Sequence, residues 1–363
     1  MRLTEEQEEL RSAVRSVLGR HSGDAAWRPL TRQIGVAGLA VPEEYGGAGC
    51  GALEVGVVME ELGRELSPVP YLGSAVLVVR ALLASGDAEA CARLLPGLAS
   101  GATVGALAWA ERGSWEPSAV RARAVPGPAG RWRITGTKEH VLDGAVAGVL
   151  LVAARTAAGV SLFEVAPDRP DVAREATVTM DTTRAQARVV LTAAEGRLVG
   201  AEGEGDRVLS HVRDLACAAL AAEQVGAASR CLELTVAYAK ERIQFGRPIG
   251  SFQAVKHRLA DAYVLVESAR SAALGASFAA AAASPELPRC AAAAKSACSE
   301  AYAAVAGEMI QLHGGIGITW EHDAHRYFKR AHGAAQLFGT PARHRARLAD
   351  HLGLPGAPGV PAA

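Results

Sequence analysis

The sequence has no surplus of either charge. Its 38 Lys and Arg are matched by 38 Asp and Glu, so the formal net charge is zero over 363 residues. A neutral chain with no basic stripe carries no electrostatic footprint for nucleic acid and no patch for an anionic membrane. It also lacks a long hydrophobic run. The alanine stretch around Ala279 to Ala283 falls far short of the roughly 20 apolar residues a membrane span needs. No paired cysteine spacing is present. The six cysteines (Cys50, Cys91, Cys217, Cys231, Cys290 and Cys298) are scattered, as expected of small buried side chains rather than disulfides or zinc ligands. The opening Met1-Arg2-Leu3-Thr4-Glu5-Glu6 has no leader character, and a soluble cytoplasmic protein is expected. No Gly-x-Gly-x-x-Gly follows a strand, and no Gly-x-Ser-x-Gly occurs, which argues against a Rossmann domain and against a serine hydrolase.

What is present falls into three zones. Residues 1–104 read as helical. Thr4 to Gln7 fit a capping box, and Leu10, Val14 and Leu18 recur on one face. A second pattern runs through Val55, Val58, Met59, Leu62 and Leu66 and stops at Ser67-Pro68. Another helix is expected around Val76 to Leu83. Residues 105–205 carry short β-branched runs between Gly, Pro and Asp, the grammar of an antiparallel barrel or sandwich. Residues 206–352 return to helical periodicity. Ser284-Pro285-Glu286 predicts a capped helix start, and Gly314-Gly315 a helix stop. The tail 353–363, rich in Gly and Pro, is expected to be disordered.

Four segments carry chemistry. They are Gly35 to Gly47; Gly136-Thr137-Lys138 with Asp143-Gly144; Arg242-Ile243-Gln244-Phe245-Gly246 running on to Gln253; and Gln311-Leu312-His313-Gly314-Gly315. In this order they resemble the acyl-CoA dehydrogenase family across nearly the whole chain. The resemblance implies an N-terminal helical domain, a middle β domain and a C-terminal four-helix bundle. It also implies FAD held between subunits, hence a homo- or hetero-oligomer. The dinucleotide would be gripped by the Arg-x-x-Phe-Gly helix end of one subunit, with the Gln-x-x-Gly-Gly segment of the neighbour closing over it. The matching positions are Arg242, Phe245, Gln253, Gln311, Gly314 and Gly315. A guanidinium suits a diphosphate, and glycine lets backbone approach a nucleotide. The flavin contacts of the β domain depart from the family. Its threonine position corresponds to Ala110, and its Trp-x-Thr to His140-Val141-Leu142, so His140 is a candidate flavin neighbour or a plain strand histidine.

The implied chemistry is α,β-dehydrogenation of an acyl thioester, with an electron-acceptor flavoprotein downstream. A carboxylate must remove the α proton. In many relatives it is the Glu of Tyr-Glu-Gly-Thr. Here Gly339 and Thr340 match, which makes Thr340 a further candidate cofactor contact, and Phe338 stands where Glu belongs. The family's other base position corresponds to Ala216. Three readings remain open. A nearby acid substitutes, with Glu223 the candidate and Asp214 close by; a structural ion pair of Glu223 with Arg230 competes. Alternatively the chain is a base-less subunit of a heteromeric dehydrogenase. The run Trp320-Glu321-His322-Asp323-Ala324-His325 resembles actinobacterial members of that kind, some acting on steroid side-chain thioesters. Or the chain performs other flavin chemistry, such as oxygenation. His322, Asp323 and His325 are expected to cap or solvate a helix rather than bind metal.

Overall fold

The computed structural model describes residues 3–354; the expected tail beyond Leu354 lies outside them. The N-terminal region is helical: α1 (Glu5–Arg20), a single turn α2 (Trp27–Pro29), α3 (Ala52–Arg64), α4 (Val79–Ser85) and α5 (Ala88–Ala99). Thr4 and Gln7 close the capping box of α1 reciprocally, side chain to backbone, as their spacing predicts. The expected helix near Val76 begins earlier, as a wide π-helical segment over Tyr71–Val78 that runs on into α4.

The middle region is a sheet of β1 (Gly105–Ala108), β2 (Arg123–Pro126), β3 (Trp132–Leu142), β4 (Val149–Arg155), β5 (Val160–Val165), β6 (Val172–Ala176) and β7 (Gln186–Val199). Pairing runs β4-β2-β3-β7-β5 and returns from β5 to β4, so the sheet closes into a barrel. Inward residues such as Ile134, Leu150, Val152, Phe163 and Val189 fill it. Most pairings are antiparallel, but β1–β4 and β2–β4 are parallel, because long connections bring those strands back in the same direction.

The C-terminal region packs α6 (Gly205–Glu241), α7 (Gln253–Ala281), α8 (Leu287–His313), α9 (Ala324–Gln336) and α10 (Pro341–His351). A two-stranded hairpin, β8 (Ile243–Gln244) with β9 (Arg247–Pro248), joins α6 to α7. The start of α8 departs from expectation. The helix opens at Leu287, because Ser284 closes a preceding turn by accepting the amide of Leu287 on its carbonyl. No helix among the described residues is long and apolar enough to cross a membrane.

Backbone contact fixes α6 against α3. A Cβ on Gly63 would lie 2.0 Å from the Glu223 carbonyl oxygen, and one on Gly226 1.9 Å from that of Glu60. Only glycine permits this reciprocal approach. It sets the height of Glu223 in the molecule.

Candidate functional site

Two regions carry the residues singled out by sequence. The first is a cleft of about 440 Å³ between the barrel and the C-terminal helices. Its walls include Trp115, Glu116, His140, Asp181, Gln186 and Thr340. The second is an exposed tip where the Arg242 and Gly314 segments meet.

The cleft is built by long-range anchoring. Lys138 is buried and donates to the Glu111 carboxylate, which also accepts the amides of Arg121 and Ala122. This ties down the loop that carries Trp115 and Glu116. Burial pulls the Lys138 ammonium down to about 8, and the facing carboxylate opposes that shift. His140 occupies the left-handed region (φ 53°) at a bulge between β3 and β7. Its Nδ1 lies 2.9 Å from Gln186 Oε1, which orients the ring along the cleft wall. Thr340 caps α10 by accepting the amide of Arg343.

Phe338, the residue the sequence reading sets where a base is expected, is packed among rings. Phe338 is 1% exposed. It stacks on Trp109 with centroids 5.9 Å apart and 7° between planes, and it meets the edge of Trp115 at 5.0 Å. Its backbone is left-handed (φ 59°), and His344 Nε2 donates to its carbonyl oxygen at 3.0 Å. Burial, with Lys295 and Arg347 nearby, pulls His344 down to about 3 and keeps it neutral for that bond. The two cleft carboxylates are engaged. Glu116 accepts from Arg213, and Asp181 accepts the amide and hydroxyl of Thr183 beside Arg330.

Glu223 is elsewhere. It is 2% exposed and accepts from Arg184, in the segment just before β7, and from Arg330 on α9 at 3.0 Å. Despite burial, the two guanidinia hold its carboxyl below the usual range. Arg230, the partner offered by sequence spacing, pairs with Glu233 instead. The reason is geometric: seven residues along a helix is a rise of about 10 Å, whereas Arg184 and Arg330 arrive directly from other elements. Asp214 is likewise taken, by Arg347 at 2.7 Å. Asp143, next to the same arginines, has the opposite character. Burial pushes it up to about 7, although Arg184 and Arg330 oppose the shift. Sequence reasoning missed this acid, because nothing local in Leu142-Asp143-Gly144 reports its burial.

At the exposed tip, the hairpin turn has positive φ at both central residues, Phe245 (53°) and Gly246 (76°). That is a type I′ turn, in which Gly is natural and Phe is costly. The Phe245 ring is 90% exposed, with its edge toward Phe252. Arg242 ends α6, is exposed, and has no ion-pair partner among the described residues. Gln311 is exposed on the last turn of α8. Gly314 (φ 63°) and Gly315 have nothing within 4 Å of a would-be Cβ, so their backbone is bare. Gln253 instead donates its amide to His257 Nε2 at 2.9 Å. The two signatures stand side by side on one protomer. Tyr238, one turn before Arg242, stacks on His313 at 4.3 Å, and its hydroxyl donates to the His313 carbonyl. A single chain therefore presents both segments, where the sequence reading divides them between neighbours.

The descriptions "Acyl-CoA dehydrogenase, N-terminal domain" and "Acyl-CoA dehydrogenase, C-terminal domain" match residues 4–102 and 203–353. The chain belongs to the acyl-CoA dehydrogenase family. It is 41% identical to the acyl-CoA dehydrogenase IpdE2 of Mycobacterium tuberculosis over 96% of this chain and 98% of that one. The crystal structure of the ChsE4-ChsE5 complex from Mycobacterium tuberculosis is similar at a TM-score of 0.88 and 31% identity, covering 98% of this chain and 99% of the other. Butyryl-CoA dehydrogenase from Megasphaera elsdenii shares the fold at a TM-score of 0.91, with 22% identity over 97% and 99% of the chains.

Membership in this family implies FAD. The residues at the exposed tip fit a dinucleotide: an unpaired guanidinium, an exposed ring and bare glycine backbone lie together. The cleft fits the flavin ring less well. Ala110 and Leu142, which the sequence reading sets against the family's two hydroxyl positions, are both buried and neither side chain can donate a hydrogen bond.

Proposed function

We propose that this chain is the base-less subunit of a heteromeric acyl-CoA dehydrogenase. It lends Arg242, Phe245, Gln311, Gly314 and Gly315 to an FAD seated on a partner subunit, which supplies the carboxylate base. The observation that carries this reading is Phe338, an apolar ring sealed into an aromatic cluster where a proton acceptor belongs. No cleft carboxylate among the described residues is free to replace it. Glu223, clamped by two guanidinia, is held ionised and serves as a structural anion rather than a base.

In this reading bound FAD would supply the hydride acceptor for the β carbon of an acyl thioester, the α proton would go to the partner's carboxylate, and an acceptor flavoprotein would take the electrons. This chain does three things. Arg242 offsets diphosphate charge, the bare glycines allow close backbone approach, and Phe245 covers the nucleotide from water. Gln253 is held by His257 and orients the start of α7 rather than the ligand. His140 and Thr340 line this chain's own cleft, the former as a polar wall and the latter as a helix cap. The similarity to a chain of a two-component complex supports a heteromeric assembly.

The test is reconstitution. The chain purified alone should fail to bleach flavin anaerobically with an acyl-CoA. Mixed with a family member that carries the Tyr-Glu-Gly-Thr glutamate, it should raise both flavin retention and bleaching. Full bleaching by the chain alone would sink the proposal.

A further inference from the structure

The tip contains a buried group with no role so far. His313 is 4% exposed and ends α8 beside the bare glycines. Its Nδ1 donates to the Met309 carbonyl at 2.7 Å, and its Nε2 is buried with no hydrogen-bond partner. The ring is sandwiched. Tyr238 from α6 lies on one side at 4.3 Å, and His322 tilts against it at 4.3 Å. His322 in turn accepts the amide of Ala324 on Nδ1, which anchors the far end of the Gly314–Trp320 loop to α9. A column of three rings thus ties together the Arg242 end of α6, the Gly314 end of α8 and the start of α9.

The column has room for one proton on His313. A second would sit on Nε2, buried, with no acceptor and with a second imidazole against it. From α6 the ring faces Tyr238, and from the loop it faces His322. Asp323, Arg326 and Lys329 act on His325 instead. The α8 carbonyl end favours a cation, yet burial outweighs it and holds the imidazole below its ordinary 6.5.

We propose that Tyr238, His313 and His322 are positioning residues that hold the Gly314–Trp320 loop in register with Arg242, and that the loop keeps this place only while His313 is neutral. The inference rests on the dinucleotide reading of the tip for its consequence, not for its mechanism. The sign follows from the direction of the shift. A histidine kept neutral in the fold contributes order that is complete above its ordinary value and is lost as pH falls below 6.5. Acid therefore frees the loop, and a bound dinucleotide leaves faster.

The experiment uses the flavin-containing assembly as purified. Hydrogen-exchange protection factors, corrected for intrinsic pH dependence, are followed for the loop, including the Thr319 amide that bonds Ile316. Flavin retention after gel filtration is read in parallel at pH 7.5 and 5.5. The wild type should lose loop protection at the lower pH by up to about tenfold, the ceiling set by one proton between pH 7.5 and 5.5 on a group of ordinary pKa 6.5. His313→Phe, which keeps a ring but cannot titrate, should hold protection across the range. His313→Ala should lose it at both. A wild-type profile in His313→Phe overturns the proposal. If that variant does not fold, the imidazole is followed by NMR in the wild type, and titration at 6.5 with unchanged loop protection overturns it equally. Should protection respond as expected while flavin retention does not, the ring column stands and the dinucleotide reading of the tip fails.

Discussion

Phe338 and Asp143 show how single residues change character with surroundings that local sequence does not encode. Phe338 was legible as an apolar residue where a base is expected, because Gly339 and Thr340 match the motif around it. Its companions Trp109 and Trp115 were not, since more than 200 residues of chain separate them from it. Asp143, read from sequence only as part of a family-like segment with Gly144, is a buried acid pushed up to about 7 from an ordinary 3.8. The unfolded chain ionises first, so this residue lowers stability as pH rises from 3.8 through 7. Asp143→Asn should therefore stabilise the protein by a few kcal/mol at pH 8, with the gain shrinking toward pH 4. Thermal melts at the two pH values check this.

At the scale of elements, the legible features were those whose chemistry is local. The Thr4 capping box, the proline stop after α3 and the glycine end of α8 need only their own neighbours. The Phe-Gly turn of the β8–β9 hairpin also lies in a few residues, although its I′ geometry makes sense only with the exposed ring in view. The links between elements were not legible. Sequence spacing offers Glu223 only Arg230 on its own helix, whereas its partners in the fold are Arg184, just before β7, and Arg330 on α9. Removing that carboxylate strands two buried guanidinia, so Glu223→Gln should cost ~3–5 kcal/mol. In a reconstituted complex, kcat should fall no further than the folded fraction does; a far larger fall in kcat would restore Glu223 as a base. The α3–α6 crossing is equally specific. Gly226→Ala drives a methyl into the Glu60 carbonyl and should lose roughly 3 kcal/mol, read from the urea midpoint. Gly275→Ala, with open space around its Cβ, should change it little.

For the whole molecule, three zones were expected and the elements fall in that order, with the barrel between two helical regions. What the chain buries says less about its role than what it leaves out. Phe245 on the β8–β9 hairpin, and Ile318 and Trp320 after α8, stand 90%, 71% and 85% exposed. Large apolar side chains left bare to this degree suit a partner surface. The chain produced alone should self-associate in sedimentation velocity at micromolar concentration, and Phe245→Ser with Trp320→Ser should return it toward monomer. The same double change should abolish capture by a base-bearing subunit. A monodisperse wild-type monomer would argue against the interface.

The hairpin turn has one more implication, and it concerns timing. A phenyl ring fixed in a left-handed corner is presented to water as soon as the two short strands zip, well before any second polypeptide arrives. In the proposed heteromeric assembly, each newly made copy would pass through a sticky interval whose length is set by how quickly its mate is synthesised. On that proposal, soluble yield should track the ratio of the two subunits more closely than the thermal stability of either one.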